Sequence, residues 1–124
     1  MIKQKIETLR RLKNGWLNGY GRAPLPENLD WFESVFLENY QDGLPEPDIH
    51  PTIFGSIQLE WVLGDCQISL SVSFKTRQGH WRKLNDRVSD HAQTIDFDLS
   101  NPNAWKSIER HLRNAIQEGD TSDV

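Results

Sequence analysis

From Ile57 to Phe74 apolar and polar residues alternate, with a single break at Gly64-Asp65. Ile57, Leu59, Trp61 and Leu63 fall on one side of the alternation, joined after the break by Cys66, Ile68, Leu70, Val72 and Phe74. Gln58 and Glu60, then Gln67, Ser69, Ser71 and Ser73, fall on the other. A period of two is the signature of an antiparallel pair with one face buried and one face wet. The chain must therefore supply other elements to cover the apolar face.

Those elements are legible as amphipathic helices. Ile2, Ile6, Leu9, Leu12 and Trp16 recur at spacings of three and four, which predicts a first helix ending at Asn14-Gly15. Pro26 suits the start of a second, with Leu29, Phe32, Val35, Phe36 and Tyr40 as its apolar stripe and Asp42-Gly43 as its close. Trp105, Ile108, Leu112, Ala115 and Ile116 form the stripe of a last helix, capped by Ser100 or Asn101 and started by Pro102. Between the first two helices, Trp16 to Pro24 reads as an ordered loop in which Gly19 and Gly21 free the backbone and Trp16 and Tyr20 anchor it on a core. The proline-rich segment Leu44 to Pro51 reads as an extended connector over the surface. Arg77-Gln78-Gly79 turns the chain into a strand at His80 to Leu84, and a longer loop runs from Asn85 to Ala92. Ile95, Phe97 and Leu99 mark a fourth strand. The expectation is one α+β domain over residues 1–124, a four-stranded antiparallel meander with helices on one face in the order ααββββα, and a frayed tail at 119–124.

A length of 124 residues suits one core, and five Trp with five Phe give it bulk. No apolar run reaches the ~20 residues needed to span a bilayer, and Met1 to Lys5 lacks the apolar stretch of a signal peptide, so a cytoplasmic location is expected. The lone Cys66 falls in the apolar register and reads as a buried thiol. Charge is segregated. Residues 1–25 carry six basic side chains and one acid, whereas residues 26–66 carry nine acids and no Lys or Arg. That pattern predicts ion pairing of the first helix with the second, and it argues against a nucleic-acid interface built on Arg10, Arg11, Lys13 and Arg22.

Trp16-Leu17-Asn18-Gly19-Tyr20-Gly21-Arg22-Ala23-Pro24, followed by Pro51-Thr52-Ile53-Phe54-Gly55 and Leu59-Glu60-Trp61, resembles a pattern in small uncharacterised bacterial proteins. Those proteins carry a Trp/Gly-rich loop, then a Pro-Thr-x-x-Gly turn and a strand with Leu-Glu-Trp. The resemblance covers about the first half of the chain, and Asn18 lengthens the Trp-to-Gly spacing here. It implies a bacterial or phage source and no particular activity.

Reactive groups are sparse. Glu60, Asp96 and Asp98 are outward-facing acids on strands, and His80 and Arg82 project beside the aspartates if Trp81 points inward. Pairing of Arg82 with an aspartate is the plainer reading than a metal site. The four histidines form no ligand set, no nucleophile elbow or phosphate loop is present, and Ser69, Ser71 and Ser73 have no base placed near them by sequence. No catalytic residue, metal or cofactor is assigned. A binding surface is the better expectation. Arg77, His80, Trp81 and Arg82 on the second hairpin, with Ser69 and Ser71 on the flat serine row, form a candidate contact surface for a protein partner. Trp81 in the core stays an open alternative. The sequence thus points to a non-catalytic docking module of inhibitor, antitoxin, immunity or adaptor type, with homodimerisation through a sheet edge as a further expectation. The rival readings are a metal-dependent enzyme or small-ligand binder using the outward acids, and nucleic-acid binding by the first helix.

Overall fold

The structure, a computed structural model, describes residues 2–85 and 92–121, with side chains up to residue 118. Three helices and five strands follow one another as α1 (Ile2–Arg10), α2 (Pro26–Asn39), β1 (Asp48–Pro51), β2 (Ile57–Leu63), β3 (Cys66–Ser73), β4 (Gln78–Asn85), β5 (Gln93–Asp98) and α3 (Pro102–Thr121). The strands form one antiparallel meander in chain order, as hairpin-length connections dictate. The α+β meander expected from sequence is present, with one strand more. Pro47 precedes and Pro51 ends the extra strand, and Ile49 between them pairs with Leu59 and packs on the core. A polyproline-like stretch is already extended, so a neighbouring strand edge recruits it at little conformational cost.

Alternation sets the two faces. Ile57, Leu59, Trp61, Cys66, Ile68, Leu70, Val72, Trp81 and Phe97 are buried beneath the helices, with Ile6 and Leu9 of α1, Leu29, Phe32 and Phe36 of α2, and Trp105, Ile108, Leu112 and Ala115 of α3. Gly79 sits opposite Val72 where a Cβ would come within 2.9 Å of a Leu70 methyl, so glycine here makes room for close packing. At the opposite end of the layer, Trp61 Nε1 donates to Tyr40 Oη at 3.1 Å and to Pro45 O at 3.2 Å, and Tyr40 Oη donates to Pro45 O. Burial pushes the Tyr40 phenol up to about 12.

The helices differ from expectation only at their ends. α1 stops at Arg10, and Arg11 and Leu12 continue as turns whose N–H groups donate to Thr8 and Leu9. Asn101 caps α3, its Oδ1 accepting the Asn103 N–H at 2.9 Å. α3 runs on to Thr121 through the expected tail, whose last residues, 122–124, lie outside the described residues. Most of the predicted Asn85 to Ala92 loop lies outside them too. The turn into β4 comes earlier than expected. Gln78 and Gly79 already pair with Ser73 and Val72, and Arg77 takes the left-handed position at φ 58°.

The segregated charges meet as expected. Arg10 contacts Asp30 at 2.8 Å, Glu7 at 3.2 Å and Glu33 at 3.4 Å, and Lys5 contacts Glu46 at 3.4 Å and Asp48 at 3.7 Å. The hydrogen bond to Asp30, more than any other contact, raises the Arg10 guanidinium above its usual value. The basic stripe of α1 is thus partly spent inside the fold. Among the described residues no helix is long and apolar enough to cross a membrane.

Candidate docking groove

The face of the sheet away from the helices carries cross-strand rows of polar side chains. Asp48, Glu60, Ser69, Arg82 and Thr94 form one row in register, and His50, Gln58, Ser71, His80 and Asp96 the next. Glu60 accepts from Gln58 Nε2 at 3.2 Å and lies 3.6 Å from His50 Nε2. Asp96 Oδ1 lies 2.7 Å from His80 Nδ1, within hydrogen-bond distance. Asp98 accepts the Ser100 N–H at 3.0 Å. The aspartates are therefore engaged elsewhere, and Arg82 has no acidic partner within 4 Å among the described residues, contrary to the cross-strand ion pair expected of it. Its neighbours in register are Ser69 and Thr94, which explains the difference.

At one end of this face two loops close in. The loop from Asn14 to Leu25 is stitched along its length: Gly15 N–H donates to Gly21 O at 2.7 Å, Gly19 N–H to Gly15 O at 2.9 Å, and Leu17 and Tyr20 form a bridge of their own. Trp16 Nε1 donates to Arg22 O and Asn14 Oδ1 accepts the Ala23 N–H, both at 2.9 Å. Gly21 is required beneath the indole, because it has φ +91° and a Cβ there would lie 3.0 Å from Trp16 Nε1. Arg22 then bridges Phe54 in parallel, its N–H donating to Ile53 O at 2.9 Å. The loop is hydrogen-bonded along its length, but its aromatics do not anchor it on the core as expected: Trp16 is half-buried against Gly21 and Arg22 of the loop itself. Tyr20 is 76% exposed.

Between these loops and the outer face runs an open groove of about 980 Å³. It is lined by Arg22, Leu25 and Phe54 of the two loops, by Ser71, Ser73 and His80 of the sheet, and by Lys75 and Gln78 at the hairpin. Phe54 is 82% exposed, and Leu17, Tyr20, Leu25 and Ile53 join it. Five of the seven exposed large apolar side chains among the described residues thus sit on this one pair of bridged loops.

The sequence-derived surface is divided by the fold. Ser71 and His80 enter the groove. Ser69 and Arg82 line a separate, smaller depression of about 200 Å³ with Glu60 and Val62. Arg77 reaches toward the helical layer, its guanidinium 4.9 Å from the Trp31 ring centre. Trp81 is 0% exposed, packed against Trp61, Phe97 and His111, and does not reach the outer face. Its inward register follows from pairing with Leu70 and Ile95. The groove residues that the reading missed are Leu25 and Phe54, whereas Arg22 was weighed only as a phosphate contact and Lys75 belongs to the hairpin tip already singled out. Their signal was present as Tyr20 and Phe54, large aromatics outside any amphipathic stripe.

Ser71, His80 and Asp96 share a row and have the residue types of a nucleophile, base and orienter. No hydrogen bond joins Ser71 to His80 among the described residues, and the Asp96 side chain is 73% exposed, so the row lacks the enclosure such chemistry uses. No group of three His, Cys, Asp or Glu that could hold a metal ion occurs among the described residues. No protein-family description, curated protein or solved structure matches the chain.

Proposed function

We propose that this protein is a non-catalytic binding module that docks on a partner protein through the groove and the two loops that wall it. One observation carries the reading: the backbone of residues 14–25 is hydrogen-bonded along its length and bridged to Phe54, yet what it holds in place is an exposed apolar set. Ordering a loop costs conformational entropy, and a loop ordered in advance lowers the cost of association. Aromatic side chains beside an arginine, here Tyr20 and Phe54 beside Arg22, are the composition of interface anchors. The floor adds small hydroxyl side chains that let another backbone approach closely. Such a module fits an inhibitor, antitoxin, immunity or adaptor role in a bacterial or phage setting.

The test is capture of the natural partner from the source organism by the full chain, with F54S and Y20S variants alongside. Both side chains are exposed, so the variants retain the wild-type melting temperature. Loss of the partner from both supports the reading. A partner retained by both variants removes these loops from the interface, and the reading with them.

A further inference from the structure

The charges around the groove identify the kind of segment that fits it. Arg22 and Lys75 both line it, and neither has an acidic partner within 4 Å among the described residues. Its one lining carboxylate among the described residues, Asp96, is held by His80 at 2.7 Å. Although the chain as a whole carries net charge −4, several of its acids are committed to other cations: Glu7, Asp30 and Glu33 to Arg10, Asp48 to Lys5, and Glu109 to Arg113. The groove is thus left locally cationic in an acidic protein. Lys5 and Arg10 of the first helix are neutralised inside the fold, whereas Arg22 and Lys75 are left for an anionic occupant.

We propose that the groove receives an acidic, extended segment of a partner protein, with an apolar side chain placed among its carboxylates. This rests on the docking reading above and gives its partner's chemistry. Phe54 and Leu25, both exposed on the wall, take the apolar side chain, while Arg22 and Lys75 take carboxylates on either side of it. Asn14, Asn28, Ser71, Ser73 and Gln78 border the same space and supply donors and acceptors for the segment's backbone. The groove is open and its cations are exposed, so a small free carboxylate remains hydrated there, whereas a long segment adds contacts along its length. A nucleic-acid strand fits less well. Two cations are a short phosphate track, and the fold has spent Arg10 and Lys5 on internal pairs.

The experiment is selection of a displayed library of random twelve-residue peptides against the full folded chain, with a dT12 oligonucleotide as competitor. The expected result is enrichment of peptides rich in Asp and Glu around Phe, Leu or Trp, whose synthetic versions bind about tenfold or more weakly to R22E/K75E and lose affinity as salt rises. Amide chemical shifts that move at Phe54, Ser73 and Lys75 on peptide addition locate the contact in the groove. The wild-type amide spectrum and melting temperature of R22E/K75E confirm that it folds. Enrichment of neutral or basic peptides, no enrichment, or binding unaffected by R22E/K75E overturns the proposal. Stronger binding of dT12 than of the enriched peptides assigns the groove to nucleic acid and overturns it also. A natural partner that needs Tyr20 and Phe54 but tolerates R22E/K75E leaves the docking reading standing and removes the acidic segment alone.

Discussion

Arg22 and Phe54 are joined backbone to backbone by a parallel bridge, so that a loop between two helices and a turn between two strands move as one rim. The pairing places a guanidinium and the protein's most exposed aromatic at one edge of the same groove. Rigidity of that rim and exposure of its side chains are the two properties on which the proposed docking depends.

Rigidity is tested at Gly21. An alanine there adopts φ +91° at a cost of about 1–3 kcal/mol and presses its Cβ against the Trp16 indole. G21A is expected to expose the Gly15 and Gly19 amides to hydrogen exchange while the amides of β3 stay protected. Partner affinity falls because the loop must be ordered on binding. Unchanged exchange at Gly15 refutes the role given to this glycine.

Trp81 separates core from interface. As a fully buried side chain it is expected to cost about 3–5 kcal/mol when truncated to alanine, a large share of a typical domain's stability. W81A should therefore melt far below wild type or fail to fold, and urea denaturation measures the loss. A W81A protein as stable as wild type contradicts the burial.

Alkaline stability reports Tyr40. Its phenol is held at about 12 in the fold against an ordinary 10.0, chiefly by burial. The folded state keeps a proton that the unfolded chain releases, so this contribution is complete below pH 10 and is lost as pH rises from 10 toward 12. Y40F gives up the bond to Pro45, at about 1 kcal/mol near neutral pH, and in return shows a flatter stability curve above pH 10. Parallel curves for the two proteins in that range would falsify the assignment.

His111 acts at the acid side. Burial lowers its pKa from 6.5, with Arg110 and Lys83 adding to the effect, and its ring packs against Trp81 and Phe97. The unfolded chain binds the proton more readily. The neutral imidazole's advantage is therefore complete above about pH 6.5 and declines as pH falls below it. H111Q is expected to lose less stability than wild type between pH 7 and pH 5 in denaturant titrations. An NMR titration in which the folded His111 protonates above pH 6.5 contradicts the prediction.

The sheet was legible because burial on one face imposes alternation, and the Ile57 to Phe74 pattern states its register outright. The pairing of α1 with α2 was legible from charge, since Arg10 had acids to meet only downstream. The docking groove was not. It is made where Arg22, Phe54 and Lys75 converge from three separate turns, and turn residues carry no periodicity from which to infer neighbours. Even so, the serine row was visible as a flat polar floor, and Ser71 and His80 do reach the groove. Trp81 misled because its partners Leu70 and Ile95, not its cationic neighbours in sequence, decide which way it points. β1 was overlooked because Pro47 and Pro51 mask four residues of strand.

Those two prolines also settle how the margin of the sheet behaves in a crowded solution. A proline has no N–H to offer, and a strand only four residues long gives little length to copy. The border at β1 is a blunt seam, poorly suited to seeding fibrils.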